Sequence, residues 1–260
     1  MKKSLSLKLI AFSFIFVVNN LSYTVPVFGP GNGTNSVVAG EENKANGMQS
    51  SAIGGGNRAT GDWSSAIGFG NEASKANTSA VGWGNSANGI EATAVGAGNT
   101  SAEIATTLGI ENEAEQEATA LGRKNKAGEQ ATVVGARNEA GRVSTVVGFN
   151  NKGKGNQTHA FGNNNKVEGQ ISIAMGSGNE ADNFSAAIGG GNIAKEYSVA
   201  LGYKNKAVVK QSIAVGSFNE VSGNNSGAFG DPNIVTGNNS YAFGNDNTIN
   251  GDNNFVLGNN

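Results

Sequence analysis

Residues 198–206, which read SVALGYKNK, contain the pattern that decides the fold. A small polar residue begins a short apolar segment, Gly202 closes it, and Asn205 follows three residues later. Closely similar stretches occupy residues 172–180 (SIAMGSGNE) and 212–220 (SIAVGSFNE). One short pattern that recurs along a chain indicates an internal repeat, and the length of the repeat limits the folds that can accommodate it.

The glycine of this pattern recurs at intervals of 13 or 14 residues through almost the whole chain. The seventeen repeat glycines are Gly40, Gly54, Gly68, Gly82, Gly96, Gly109, Gly122, Gly135, Gly148, Gly162, Gly176, Gly189, Gly202, Gly216, Gly230, Gly244 and Gly258. An asparagine stands three residues after each of the first sixteen. This period is too short for a pair of helices, but it accommodates two short strands joined by tight turns.

These features predict an all-β fold, a parallel β-solenoid of about 17 coils of 13–14 residues. Glycine supplies the positive φ that a tight corner needs, and asparagine tolerates it. Coils stacked at the spacing of paired strands, about 4.8 Å, give a rod of roughly 80 Å. Because equivalent residues of stacked coils lie above one another, we predict a structural ladder of asparagines. Its members include Asn57, Asn71, Asn85, Asn99, Asn112, Asn125, Asn138 and Asn151.

The segment before each repeat glycine is apolar at two neighbouring positions, as Ala200 and Leu201 illustrate, with Thr107 as the exception. Neighbouring residues of a strand point to opposite faces of the sheet, so one lines the interior of the coil and the other faces outward. The sequence leaves open which of the two faces inward. A long apolar stripe on a soluble rod requires a cover, and a self-complementary stripe predicts association of identical chains.

The first residues carry a separate signal. Lys2 and Lys3 precede the ten-residue apolar run Leu9–Val18, which predicts a secretory signal peptide over residues 1–24. We expect a short linker over residues 25–35 and the repeats over residues 36–260. No later apolar run is long enough for a membrane-spanning helix, so we expect no membrane insertion. The chain has no cysteine, so an exported form lacks disulfides and depends on repetition for its stability.

Composition argues against several classes of function. The net charge is −2 and no basic stripe appears, so nucleic-acid binding is not predicted. His159 is the one histidine and occupies a strand position, so we expect no enzyme, no cofactor and no metal site. The alternating acids at positions 111, 113, 115 and 117 are expected to lie together on one solvated side of the rod.

The repeats Ser198–Gly202, Ser212–Gly216, Ser172–Gly176 and Ser51–Gly54 resemble the head repeat of YadA-like trimeric autotransporter adhesins. That motif is similar to NSVAIG-x-x-S, with asparagine here in place of its last serine, and the resemblance covers residues 36–260. It implies a left-handed β-roll, a homotrimer, and export to the outer surface of a Gram-negative cell, or secretion if no anchor follows. It also implies a virulence-associated, non-enzymatic adhesin that attaches to host extracellular matrix or cells.

A ligand surface is sought where the coils differ, because constant ladders cannot encode one particular ligand. We expect it on outward turns, with an aromatic pair and a basic band as candidates. These candidates are Phe69, Trp83, Arg123, Lys124 and Arg137. Two alternatives stay open: a passive structural spacer, and an ice- or crystal-binding solenoid. The second rests on one row of threonines at Thr93, Thr106, Thr119, Thr132 and Thr145.

Overall fold

A computed structural model describes residues 28–260, which form a rod of stacked β-coils. Every helix or strand assigned in this range is a β-strand, and successive coils pair in parallel. The prediction of an all-β parallel solenoid is therefore confirmed. The predicted signal peptide, residues 1–24, and the first residues of the predicted linker lie outside the described residues.

The coils build two sheets, one from long strands and one from short strands. The long strands are Val37–Glu41, Ser51–Gly55, Ser65–Phe69, Ser79–Trp83, Thr93–Ala97, Thr106–Ile110, Thr119–Arg123, Thr132–Ala136, Thr145–Phe149, His159–Asn163, Ile173–Ser177, Ala186–Gly190, Val199–Tyr203, Ile213–Ser217, Gly227–Gly230, Tyr241–Gly244 and Phe255–Leu257. The short strands are Lys44–Ala45, Arg58–Ala59, Glu72–Ala73, Ser86–Ala87, Thr100–Ser101, Glu113–Ala114, Lys126–Ala127, Glu139–Ala140, Lys152–Gly153, Lys166–Val167, Glu180–Ala181, Ile193–Ala194, Lys206–Ala207, Glu220–Val221, Asn233–Val235 and Asn247–Ile249. Residues 28–260 thus contain sixteen coils and a last long strand.

The strand Phe28–Pro30 differs from the rest because it pairs antiparallel with the first long strand. Phe28 lies opposite Ala39, and Pro30 lies opposite Val37. This strand covers the N-terminal edge of the long-strand sheet, an edge that would otherwise present unpaired backbone groups.

The repeat glycines stay in register although the coil length varies. Gly54 pairs with Gly68, and Gly68 pairs with Gly82. Coils of 14 residues place five residues, 88–92, between the short and the next long strand, whereas a 13-residue coil places four, 102–105. The difference is thus absorbed in that turn, and the strands keep the alignment that stacks their side chains.

The interior of the coil is narrow and filled chiefly by alanine. Ala66 in a long strand and Ala73 in the following short strand are both fully buried. The side chain directly before the glycine, such as Ile67, points outward. The structure therefore resolves the alternative that the sequence left open: the smaller apolar column lines the interior, and the larger aliphatic column lies on the outside of the long-strand sheet.

A buried column of asparagines runs beside this interior. Nδ2 of Asn71 lies 3.0 Å from Oδ1 of Asn57 and 2.8 Å from the carbonyl oxygen of Gly82. Oδ1 of Asn71 accepts the backbone N–H of Asn85 at 3.0 Å. Contacts of this kind join the consecutive residues Asn57, Asn71, Asn85, Asn99, Asn112, Asn125, Asn138 and Asn151. Each amide thus satisfies backbone groups in its own coil and in the neighbouring ones.

The repeat glycine is required by its conformation and by its surroundings. Gly68 has a φ of 119°, which side chains rarely adopt. A Cβ atom built on Gly68 would overlap the carbonyl oxygen of Gly82 in the next coil. The close stacking of coils at this corner leaves no room for any larger residue, which explains why the glycine recurs in every coil.

Candidate interaction surface

The outward face of the long-strand sheet presents three columns of side chains. The leading column, three residues before each repeat glycine, contains Val37, Ser51, Ser65, Ser79, Thr93, Thr106, Thr119, Thr132, Thr145, His159, Ile173, Ala186, Val199, Ile213, Gly227, Tyr241 and Phe255. The central column, one residue before it, contains Ala39, Ile53, Ile67, Val81, Val95, Leu108, Leu121, Val134, Val147, Phe161, Met175, Ile188, Leu201, Val215, Phe229, Phe243 and Leu257. The trailing column, one residue after it, contains Glu41, Gly55, Phe69, Trp83, Ala97, Ile110, Arg123, Ala136, Phe149, Asn163, Ser177, Gly190, Tyr203, Ser217, Asp231, Asn245 and Asn259.

The central column is an apolar line that this single chain leaves partly exposed to solvent from Ile53 onward, whereas Ala39 is buried. Leu108 is 50% exposed and Leu201 is 42% exposed, although both belong to regular strands. Near the C-terminal end, the rings of Phe229 and Phe243 stack with their centroids 4.5 Å apart. A soluble monomer rarely exposes so long an apolar line, which marks this face as an interaction surface.

Phe69 and Trp83 lie in the trailing column of this same face, each at the end of a long strand rather than in a turn. They are paired in register, and each is 62% exposed. An added Cβ on Gly55 would lie 3.1 Å from the Phe69 ring, so the ring extends over the preceding coil. These two aromatic side chains therefore enlarge the apolar surface beside Ile67 and Val81.

The three basic candidates occupy two different places. Arg123 ends a long strand and belongs to the trailing column, between Ile110 and Ala136. Lys124 and Arg137 lie one residue further along their coils, at the corner between the two sheets, with φ values of 54° and 58°. Glycines occupy this corner in the earlier coils that contain Gly70 and Gly84. The corner side chains point away from the narrow interior and are open to solvent.

Ion pairs between neighbouring coils neutralise part of the basic band. Nζ of Lys124 lies 3.2 Å from a carboxylate oxygen of Glu111, and Nζ of Lys126 lies 3.3 Å from one of Glu113. Both pairs are exposed, so each stabilises the fold by about 0.2–1 kcal/mol. The guanidinium carbon of Arg137 lies 5.8 Å from the centre of the Phe149 ring, within cation–π range.

The alternation of the acidic run predicts that its side chains lie on one side of the rod. The structure shows a different arrangement. Glu111 stands at the corner between the sheets, Glu113 is in a short strand, and Glu117 is in the turn before the next long strand. The alternation rule applies along one extended strand, and this run crosses a corner and a turn within a single coil. The expectation of a single acidic face is therefore wrong.

No group of three or more histidine, cysteine, aspartate or glutamate side chains that suits a metal ion occurs in residues 28–260. His159 lies in the leading column, with Thr145 and Ile173 as its neighbours in the sheet. The threonine row from Thr93 to Thr145 forms the leading column directly before it, beside the aliphatic central column.

A second aromatic and basic cluster was not among the sequence-based candidates. Nζ of Lys204 lies 5.2 Å from the centre of the Tyr203 ring and 5.6 Å from that of Phe218. The two rings meet edge to face with centroids 5.4 Å apart. The repeat register contains the signal for it, because Tyr203 follows its glycine as Trp83 does, and Phe218 occupies the corner position of Lys204 one coil later.

Comparison with known families gives one match to this rod. The YadA head domain repeat, as a model of two copies, matches residues 32–57, 45–71, 59–85, 73–99 and 194–219. The matched residues make up about a third of the chain, and the same coils continue between them through residues 100–193. Comparison with curated proteins found no match. Within the described range, no helix is long and apolar enough to cross a membrane.

Proposed function

We propose, on the premise that this chain carries a YadA-like head domain, that it is the non-enzymatic adhesive head of an exported bacterial surface protein. In this proposal the head attaches to host extracellular matrix or to host cells. The observation that carries the proposal is the placement of head repeats on a rod with two distinct kinds of surface. One surface has a central column that is apolar in every coil, and the other changes from coil to coil.

The first surface is the outward face of the long-strand sheet, and in our proposal it joins three copies into a homotrimer. Its central column is apolar in every coil. Leu108 and Leu201 are about half exposed in the single chain, so burial between copies would remove a large apolar area from water. Each buried square ångström of apolar surface stabilises association by roughly 25 cal/mol.

The variable surface is the row of corners between the two sheets, and we assign ligand contact to it. Lys124 and Arg137 lie there in adjacent coils and are open to solvent. Neither residue belongs to the asparagine ladder or to the buried alanine columns, so both are free to differ between coils without loss of the fold. Two cations in one row favour an acidic surface on the host protein, because complementary charge steers and orients association.

The proposal is tested with surfaces coated with matrix proteins and with host cells. The wild-type chain should adhere, and the K124E/R137E variant should adhere at least about tenfold more weakly at low salt. The matched control is K44E/K75E, which changes the net charge equally at two exposed lysines of earlier coils. The control should adhere as the wild type does.

The salt dependence of adhesion distinguishes an electrostatic contact at the corners from nonspecific apolar adhesion. Adhesion through Lys124 and Arg137 should fall between about 0.05 M and 0.5 M salt, because screening shortens the reach of exposed charges. Adhesion of the K124E/R137E variant should change little over the same range. A wild-type rod that adheres to no matrix protein and to no cell would support the passive spacer and contradict the adhesin. Equal loss in both charge variants would contradict the assignment to the corner.

A further inference from the structure

The apolar band on the outward face does not run straight along the rod. From Ser51 to Thr145 the leading column consists of serine and threonine, whereas the trailing column contains Phe69, Trp83 and Phe149. From Ile173 onward the leading column is predominantly apolar, and the trailing column is chiefly serine, asparagine and glycine. The central column is apolar throughout. The band is therefore two columns wide in both of these segments, but it occupies different columns in each.

The displacement occurs within one coil. His159 in the leading column and Asn163 in the trailing column mark the change, on either side of Phe161. Columns on one face of a strand are two residues apart, so the centre of the band moves by about 7 Å along the strand direction. Tyr203 is the aromatic exception in the later trailing column, and Arg123 is the charged exception in the earlier one.

A second copy of this chain fits the band better than an unrelated ligand does. The band persists over the whole stack, so its partner needs an apolar line of equal length with the same coil spacing. A band about 10 Å wide and roughly 80 Å long offers about 800 Å² per copy, so three copies together would bury about 2,400 Å², more than the roughly 1,600 Å² of a standard stable interface. Only a copy aligned in parallel repeats the displacement at the same height along the rod.

We propose that neighbouring copies meet along a contact line that shifts from the trailing column to the leading column at His159. We call this contact the oblique line. This inference rests on the proposed homotrimer and specifies how its chains touch. In the N-terminal half the contact uses the central and trailing columns, which include Phe69 and Trp83. In the C-terminal half it uses the leading and central columns, which include Ile173 and Ile213. Phe69 and Trp83 then contact another copy of the chain, and ligand binding is left to the corners.

Single-cysteine variants test the oblique line, since the chain has no cysteine of its own. One pair, S65C and F69C, samples the leading and trailing columns of one N-terminal strand. The other pair, I213C and S217C, samples the same two columns of one C-terminal strand. Light scattering first measures the native mass of each variant. The rate of alkylation by a bulky maleimide is then compared with that of the denatured chain, in which all four thiols are open.

The proposal predicts a crossed pattern. The F69C and I213C thiols should react at least about tenfold more slowly than the S65C and S217C thiols, because a buried thiol is inaccessible to the reagent. Trimers in which F69C and S217C are both protected, or S65C and I213C, would show a straight contact line and overturn the inference alone. Trimers with no protected site would show that copies meet elsewhere and would overturn it too. A native mass of one chain would overturn the proposed assembly and this inference together.

Discussion

The hydroxyl oxygens of Ser101 and Thr107 lie 2.7 Å apart in the otherwise apolar interior of the coil. Each residue departs from the alanine or valine that occupies its position in most other coils, and the two departures face each other. Ser101 also contacts the carbonyl oxygen of Thr93 at 2.7 Å, so both buried hydroxyls are satisfied. Two polar residues thus stand in a narrow core because each supplies the partner that the other needs.

This relationship predicts strong coupling between the two positions. S101A should lower the free energy of unfolding by about 1–3 kcal/mol, because Thr107 keeps a buried hydroxyl without its close partner. The double variant S101A/T107A should cost less than the sum of the single variants, since it recreates the alanine pair of other coils. Urea denaturation of the four chains measures the coupling. Additive losses would show that the two hydroxyls do not depend on each other.

The repeat glycine and the corner glycine of one coil should respond differently to alanine. G82A places a Cβ against the carbonyl oxygen of Gly96 at a φ of 121°, so we expect loss of cooperative folding in the neighbouring coils. G84A is the matched control, because its Cβ meets no heavy atom within 4 Å and its φ is 61°. The control should cost only about 1–2 kcal/mol, the usual cost of left-handed backbone for a residue with a side chain. Thermal unfolding followed by circular dichroism compares them, and equal losses would contradict the close stacking.

Removal of a buried ladder amide should be costly, whereas removal of an exposed turn amide should be harmless. N99A removes the partner of the Asn112 backbone N–H and the donor to the carbonyl oxygen of Gly109. We expect a loss of about 3–5 kcal/mol, because several buried groups lose partners together. N88A, at an exposed turn position, should change stability by less than about 0.5 kcal/mol. Denaturation midpoints measure both, and a mild effect of N99A would show that the ladder contributes little to stability.

Gly153 tests how tightly the interior is packed. A Cβ added there would lie 2.8 Å from Cγ2 of Val146, which stands where most coils have alanine. G153A should therefore destabilise the rod by about 1–3 kcal/mol through overpacking. V146A/G153A, which approaches the alanine pair of Ala120 and Ala127, should recover part of that loss. Failure of the second substitution to recover any stability would place the strain elsewhere.

The repeat determines the fold from sequence alone, whereas the direction of each side chain needs the structure. Alternation places Ala66 and Ile67 on opposite faces but does not orient the coil, because both residues are apolar. The burial in the structure decides the matter: the narrow interior takes alanine in most coils and valine in a few, and the larger Ile67 lies outside. Likewise, the sequence predicts that Phe69 and Trp83 lie in turns, because each follows a glycine. In the structure the strand continues through the glycine and places both side chains on the sheet face.

The corner and the acidic run show a second limit of sequence reasoning. Period-two alternation holds along one extended strand, but the chain turns twice between Glu111 and Glu117. The left-handed corner is recognisable only where glycine occupies it, as at Gly84, because Lys124 and Arg137 adopt the same φ without a sequence signature of their own. Such a corner is located by aligning its coil with earlier coils, because its local composition gives no signal.

The native mass of the chain is the sharpest test of whether identical copies cover the outward apolar face. In our proposal identical copies cover this face, while the corners remain open for a host ligand. Light scattering at micromolar concentration should give three times the mass of one chain, and L201E should reduce it, because the variant places a charge in the contact. A wild-type rod that stays folded with the mass of a single chain would contradict the account.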